Sequence, residues 1–249
     1  MKCILLAAGY ATRLYPLTEN FPKPLLKVGE KSILDWLTDD VAGTGLIDEY
    51  VIVSNHKFAA HFEAWAAEKP LNVRVVDDGT ETNETRLGAV RDLLLAFETL
   101  PEPDDLLVMA GDNVLDFSLA AFLRFCTEKG TSCVMCYPEP DEARRPKTAI
   151  LAKDANGRIT SFEEKPKEPK GTFAAPPFYY YKKEDAQRLR EALADGCGYD
   201  APGSFAAWLS AHSPMHAYEM PGRRYDIGNL ESYRAVQALF GGAAAETGN

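Results

Sequence analysis

The chain has no apolar run long enough to span a lipid bilayer. The N-terminal run covers only residues 3–8, whereas a membrane helix needs about 20 apolar residues and a signal-peptide core about 7–15. We therefore expect a cytoplasmic protein that has no membrane partner.

Cysteine is scarce and odd in number. Five cysteines at irregular positions argue against the disulfide framework of a small secreted protein. Cys133 and Cys136 have the Cys-x-x-Cys spacing of redox and zinc sites, but no second pair of ligands has such spacing. Because both lie in a predicted buried strand, we interpret them as core residues.

Positively charged residues are fewer than negatively charged ones. The sequence has 27 lysines and arginines against 37 aspartates and glutamates, which gives a net charge of -10. Nucleic acids and anionic membranes repel such a chain, so neither is expected as a partner. Any phosphate that it binds requires a local group of cations.

Short aliphatic runs alternate with stretches of helical spacing in the first 137 residues. The runs predict strands at 3–8, 49–54, 72–77, 106–110 and 132–137, and the stretches between them predict helices at 33–43, 57–69, 86–99 and 119–129. Continuous apolar strands that alternate with helices are typical of a parallel sheet covered on both faces. The sequence therefore predicts an α/β fold with a doubly wound, mainly parallel sheet.

The pattern changes after residue 137. Further strands are predicted at 148–153, 157–164 and 172–181, and they indicate a small appended β-sheet region. Helices are predicted at 185–194, 204–212 and 230–240. We expect one domain over residues 1–240, with residues 241–249 as a flexible tail.

A loop of small residues follows the first predicted strand. It has neither the Gly-Lys-Ser/Thr ending of a Walker loop nor the Gly-x-Gly-x-x-Gly spacing of a dinucleotide site. In a doubly wound sheet, ligands bind at the carboxyl ends of the strands. Small side chains let backbone N–H groups approach phosphate oxygens, and Arg13 and Lys23 supply positive charge. This loop is therefore a candidate phosphate site.

The whole block from Leu6 to Leu26 resembles the signature of the sugar-phosphate nucleotidyltransferases, the nucleoside-diphosphate-sugar pyrophosphorylases that include glucose-1-phosphate thymidylyltransferase. That signature reads Leu-Ala-Ala-Gly-x-Gly-Thr-Arg-Leu-x-Pro-Leu-Thr, followed by Pro-Lys-Pro-Leu. The resemblance implies that Arg13 contacts the β and γ phosphates and that Lys23 lies against the α-phosphate. The implied nucleotide-binding residues of this loop are Leu6, Ala7, Ala8, Gly9, Tyr10, Ala11 and Thr12.

Ala11 departs from this signature because it replaces the second glycine. We expect the backbone there to approach the triphosphate at a different angle or distance. Residues 78–88 occupy the position that reads the nucleobase in the family. This segment also departs from the family pattern, and it retains only Gly88 and Asn83 as predicted contacts. The identity of the preferred nucleobase therefore stays open.

Two aspartates are candidate metal ligands. Asp112 follows the predicted strand 106–110, at the end of the sheet where the phosphate loop also lies, although aspartate at such a position also caps helices. Asp226 precedes the last predicted helix. Both segments resemble family elements and together imply one Mg²⁺, an ion that carboxylates hold together with substrate phosphates.

The acceptor side is predicted from the Glu-Lys-Pro element of the family. The resemblance implies that Lys165 binds the phosphate of the acceptor and that Glu164 meets its hydroxyl groups, with residues 1–137 as the nucleotide-binding core and 138–240 as the acceptor-binding part. Ala149 and Pro177 depart from the usual residues beside this site. The acceptor could therefore be a sugar phosphate or a non-sugar phosphate or phosphonate.

The resemblance implies a reaction in which a phosphate oxygen of the acceptor attacks the α-phosphorus of a nucleoside triphosphate. The acceptor phosphate is already ionised, so no histidine needs to act as a general base. The alternatives are a cytidylyltransferase that uses a non-sugar phosphate or phosphonate, and a non-catalytic nucleotide-binding module. A monomer and a homodimer both stay open.

Overall fold

A computed structural model describes residues 1–241. Its strands are β1 (Lys2–Leu6), β2 (Lys27–Val28), β3 (Lys31–Ser32), β4 (Glu49–Ser54), β5 (Val73–Asp77), β6 (Leu106–Ala110), β7 (Asn113–Leu115), β8 (Ser132–Pro138), β9 (Ala149–Lys153), β10 (Ile159–Glu164), β11 (Phe173–Ala174), β12 (Phe178–Tyr181), β13 (Met215–Glu219) and β14 (Arg224–Asp226). Its helices are α1 (Ile33–Ala42), α2 (Ala59–Ala67), α3 (Ala89–Glu98), α4 (Ala120–Lys129), α5 (Lys183–Ala186), α6 (Leu189–Ala194), α7 (Gly203–Ser210) and α8 (Leu230–Gly241).

The main sheet has the order β10-β9-β11-β8-β12-β6-β1-β4-β5, and β13 pairs in parallel with β8. Strands β5, β4, β1 and β6 are parallel to one another, which confirms the predicted α/β fold. The core lies on both faces of this sheet. In β1, Ile4 packs into one buried cluster, whereas Cys3 and Leu5 pack into the cluster on the opposite face.

The order of the parallel strands changes direction at β1. From β1 the chain moves outward to β4 and then β5, and it returns to the other side of β1 to form β6. Such a switch point leaves a crevice at the carboxyl ends of the two strands, where ligands of open α/β sheets bind. The loops that follow β1 and β6 both begin at this crevice.

The later part of the chain differs in detail from the predictions. The predicted strand 172–181 splits into β11 and β12 around Pro176 and Pro177, since proline has no N–H to donate to a sheet. The appended strands β9 and β10 continue the main sheet through β11, which pairs with both β8 and β9. The predicted helix 185–194 is divided into α5 and α6.

Five short strands were not predicted. They are the hairpin of β2 and β3, the two strands β7 and β14, and the edge strand β13. Among residues 1–241, no helix combines the length and the apolar character required to cross a membrane. The predicted flexible tail at 241–249 lies outside the described residues except for Gly241, which ends α8.

Candidate active site

The backbone of the phosphate loop is fixed at its start by neighbouring strands. The N–H of Ala7 donates to the carbonyl oxygen of Val53 at 2.9 Å. The side chain of Asn55, which is fully buried, donates from Nδ2 to the carbonyl oxygen of Ala8 at 2.9 Å. A side chain added at Gly9 would meet no atom within 4 Å, so this part of the backbone faces open space that a ligand can enter.

The next two residues have different roles from those of Gly9. The hydroxyl of Tyr10 donates to the carbonyl oxygen of Thr80 at 2.9 Å, and its ring is buried. Only the backbone of Tyr10 is thus placed to meet a nucleotide. Ala11 adopts the left-handed conformation (φ 48°, ψ 41°), and Thr18 Oγ1 donates to its carbonyl oxygen at 2.8 Å.

The conformation of Ala11 explains how the loop tolerates the missing glycine. An L-residue other than glycine pays about 1–2 kcal/mol for a left-handed conformation, and the hydrogen bond from Thr18 helps to offset that cost. The expected difference in how the backbone at Ala11 approaches the triphosphate stays a prediction. The short helical turn Thr12–Leu14 follows, and both Thr12 and Arg13 are exposed.

Lys23 directly contacts Asp112, one of the two predicted metal ligands. Its Nζ donates to Asp112 Oδ2 at 2.7 Å and to the carbonyl oxygen of Ile227 at 2.9 Å. The side chain of Lys23 is 14% exposed and that of Asp112 is 30% exposed. The ammonium group is therefore held in a fixed position at the carboxyl end of β6, where it can still be reached by a ligand.

Asp226 is brought beside Asp112 by the pairing of two short strands. Strands β7 and β14 are antiparallel, with Asp226 opposite Asn113, and the N–H of Ile227 donates to the carbonyl oxygen of Asp112 at 3.1 Å. The side chain of Asp226 is 52% exposed. The backbones of Asp112 and Asp226, which are more than a hundred residues apart in sequence, are therefore adjacent, although Asp226 lines neither of the two clefts described below.

Asn113 and Arg224 support these carboxylates and were missed by the sequence analysis. Asn113 is fully buried; its Nδ2 donates to Asp112 Oδ1 at 2.6 Å, and its Oδ1 accepts from Arg224 Nη1 at 2.6 Å. Arg224 also forms an ion pair with Asp226 Oδ1 at 3.3 Å. This chain of contacts orients both carboxylates. Only the proximity of each residue in sequence to a predicted metal ligand could have indicated its role.

Two adjoining clefts open at the switch point. The smaller cleft contains Lys23 and Pro24, whereas the larger, of about 330 Å³, contains Gly88 and Asp92. Both clefts are lined by Leu6, Gly9, Ala110 and Asp112. The predicted contact Asn83 lines neither cleft. The structure thus joins the phosphate loop, Lys23, Asp112 and Gly88 in one continuous crevice.

Gly88 connects the crevice to a distant part of the chain. It has φ +94° and precedes α3, whose first N–H groups, from Ala89 and Val90, donate to the carbonyl oxygens of Asp200 and Tyr199. A Cβ at Gly88 would lie 2.6 Å from the carbonyl oxygen of Tyr199. Glycine is required here both for the backbone conformation and for this close approach.

Substitution of Gly88 by alanine is expected to destabilise the protein by more than the conformational strain alone, about 2 kcal/mol or more. Gly45→Ala is the matched control, because Gly45 also has positive φ (+67°) but has no atom within 4 Å of an added Cβ. Urea unfolding of both variants measures the difference in the free energy of unfolding. Equal losses in the two variants would show that the contact with Tyr199 is unimportant.

The predicted acceptor residues lie at the end of β10. Burial raises the pKa of Glu164, and the nearby charge of Lys165 partly opposes this shift. The carboxylate of Glu164 lies so close to Gly203, the first residue of α7, that a Cβ there would collide with it. Lys165 is exposed and has positive φ (46°). Neither residue lines the two clefts, but Pro202, next to Gly203, lines the larger one.

Comparisons with known proteins identify the family and the fold. A family model described as nucleotidyl transferase matches residues 2–240. A candidate glucose-1-phosphate thymidylyltransferase from Bacillus anthracis, solved with a sucrose, superimposes with a TM-score of 0.80 at 22% identity, covering 97% of this chain and 96% of that chain. A UDP-glucose pyrophosphorylase complexed with UDP-glucose gives 0.81 at 19% identity, covering 96% and 97%. At these identities the structural likeness concerns the fold, whereas the family match covers almost the entire chain. The chain therefore belongs to the nucleotidyl transferase family and is a nucleotidyl-transferring enzyme.

Proposed function

We propose that this enzyme joins a nucleoside triphosphate to a sugar 1-phosphate, giving a nucleoside diphosphate sugar and pyrophosphate. The observation that carries the proposal is the contact between Lys23 and Asp112 at the switch point, with Asp226 held beside Asp112 by strand pairing. Transfer at a phosphate centre depends on positioning and on charge neutralisation, which a fixed cation and carboxylates that can hold a metal ion would supply. The sugar in the proposal rests on the resemblance at Glu164 and Lys165 and on the described activities of the structural neighbours.

The two carboxylates suit Mg²⁺. Among residues 1–241, no group of three or more histidine, cysteine, aspartate and glutamate side chains is arranged to hold a metal. A pair of hard oxygen ligands matches magnesium, which is commonly held by one or two carboxylates together with substrate phosphates. Asp112 and Asp226 would hold the ion, and its charge, when it is bound, would offset the negative charge of the triphosphate.

The residues of the chain would then act by position and charge. The backbone around Gly9 binds the triphosphate, and Arg13 reaches its β and γ phosphates from the exposed rim. Lys23, whose Nζ is held by Asp112 and by the carbonyl oxygen of Ile227, would neutralise charge on the α-phosphate. An oxygen of the acceptor phosphate forms a new bond to the α-phosphorus, the bond from this phosphorus to the oxygen that leads to the β-phosphate breaks, and pyrophosphate leaves with that oxygen. No proton needs to move.

A pyrophosphate-release screen tests this function. Each of ATP, CTP, GTP, UTP and dTTP would be combined with sugar 1-phosphates, phosphocholine and a phosphonate, with Mg²⁺ and with excess chelator. We expect release with at least one sugar 1-phosphate, and we expect the chelator to abolish it. Release only with phosphocholine or the phosphonate would show that the acceptor is not a sugar 1-phosphate. The absence of release from every pair would refute the proposed reaction.

Glu164→Gln is expected to raise the KM for the acceptor about tenfold and to leave the KM for the nucleoside triphosphate unchanged, because one hydrogen bond from a sugar hydroxyl to a carboxylate is weakened. Glu163→Gln is the matched control. Glu163 is the neighbour of Glu164 in β10, but its Oε2 accepts from the N–H of Lys170. Steady-state kinetics with each substrate varied separately measures the effect. An equal change in both KM values would contradict the assignment of Glu164 to the acceptor.

A further inference from the structure

Asp92 is an unusual residue in the wall of the larger cleft. It lies in the first turn of α3, is only 6% exposed, and lines the cleft together with Gly9, Gly88 and Asp112. Its Oδ1 is buried and has no hydrogen-bond partner among residues 1–241. Buried polar atoms are nearly always hydrogen-bonded in folded proteins, so an unpartnered carboxyl oxygen needs a specific explanation.

The surroundings of Asp92 make its carboxyl group unfavourable for the stability of the folded protein. Burial and the nearby carboxyl of Asp78 raise the pKa of Asp92 to about 7. Asp78 is itself buried on one side, with an unpartnered Oδ2, and its Oδ1 accepts from the N–H of Thr80 at 2.7 Å. A buried carboxyl that no protein group satisfies lowers stability. Strongly perturbed carboxyls in clefts are typical of functional sites.

The position of Asp92 indicates which part of a ligand would meet it. The smaller cleft contains Lys23, whose charge attracts phosphate, and the larger cleft extends away from it toward Gly88 and Asp92. A carboxyl repels phosphate, so the phosphates belong at the Lys23 end. The uncharged nucleoside then extends into the larger cleft.

We propose that Asp92 is a specificity-determining residue, whose carboxyl group accepts a hydrogen bond from an N–H or O–H group of the nucleoside part of the bound triphosphate. This inference rests on the proposed function, because it assumes that the crevice binds a nucleoside triphosphate. The donor is either a group of the nucleobase or the 2′-hydroxyl of the ribose. In both cases the ligand supplies the partner that the folded chain lacks, and the cost of burying the carboxyl is offset in the complex.

The test compares the wild type with Asp92→Asn and Asp92→Ala. Glu98→Gln is the matched control, because Glu98 is on the same helix but lies outside the cleft and pairs with Arg190. Calorimetric titration with each of the five nucleoside triphosphates, in the absence of acceptor, gives their dissociation constants. Thermal melting of the ligand-free variants reports their stability.

We expect both Asp92 variants to bind the preferred triphosphate about 10–100-fold more weakly, and we expect the ratio of affinities among the five triphosphates to change. Their melting temperatures should equal or exceed that of the wild type. Unchanged affinity ratios would overturn the inference, and so would a lower melting temperature with an equal loss for every triphosphate, which indicates a merely structural role.

Matched ribonucleotides and 2′-deoxyribonucleotides identify the donor. A loss confined to the ribonucleotides assigns the contact to the 2′-hydroxyl, whereas an equal loss in both series, with the affinity ratios changed among the bases, assigns it to the nucleobase. These titrations do not depend on turnover. A wild-type protein that binds a triphosphate but releases no pyrophosphate would therefore refute the proposed reaction without deciding the role of Asp92.

Discussion

Asp112→Asn is expected to lower kcat by about 100–1000-fold, the range seen when one preorganised electrostatic contact to a transition state is removed. The substitution keeps the size of the side chain but removes a formal charge that a divalent cation requires. Asp226→Asn should cause a loss of similar size, because the same two carboxylates are proposed to share one ion. The rate of pyrophosphate release at saturating substrates measures both effects.

The control for these variants is Asp39→Asn, since Asp39 is an exposed carboxylate on α1 that pairs with Lys31. It should retain wild-type activity. Raising the Mg²⁺ concentration should partly restore Asp226→Asn and Asp112→Asn if the loss arises from weaker metal binding. Near-normal turnover of either variant at low Mg²⁺ would remove that aspartate from the proposed metal site.

Lys23→Met should lower kcat/KM for the nucleoside triphosphate by about 100–1000-fold, because it removes the cation proposed to neutralise the α-phosphate. Methionine has nearly the same length as lysine, so the apolar part of the side chain keeps its packing. The variant also loses the hydrogen bond to the carbonyl oxygen of Ile227, which should cost about 1 kcal/mol of stability. Kinetics and chemical unfolding separate these two effects.

Lys31→Met is the matched control for Lys23→Met. Lys31 also forms an ion pair at 2.7 Å, but both partners are about half exposed, and such surface pairs contribute little to stability. We expect normal activity and nearly normal stability. If Lys23→Met retained most of its activity, the charge over the α-phosphate would have to come from another residue.

The central strands were predictable because their burial is continuous. Strands β4 and β6 have the predicted bounds; every residue of β4 is buried, and its four central residues are all apolar. Strands β7 and β14 were not predictable in the same way. Each has only three residues, and their pairing depends on contacts across more than a hundred residues of sequence.

The site was predicted in part. Gly9, Gly88, Lys23 and Asp112 come together in the crevice, as expected from loops that follow neighbouring parallel strands. Asp92 escaped notice because an aspartate in the first turn of a helix usually complements the helix dipole. Its burial and its unpartnered oxygen are consequences of tertiary packing, and no pattern in the local sequence reports them.

The segment from Tyr199 to Gly203 connects the proposed nucleotide site with Glu164, the proposed acceptor residue. Its first residues hold the start of α3 through backbone carbonyl oxygens, and Gly203 lies against Glu164. An enzyme with separable substrate pockets could be re-engineered by exchanging one pocket at a time. Here, a transplanted α7 or an insertion near Pro202 would displace both the start of α3 and Glu164. Changes of acceptor and of nucleotide preference are therefore expected to be non-additive, and useful variants should combine substitutions on both sides of this segment.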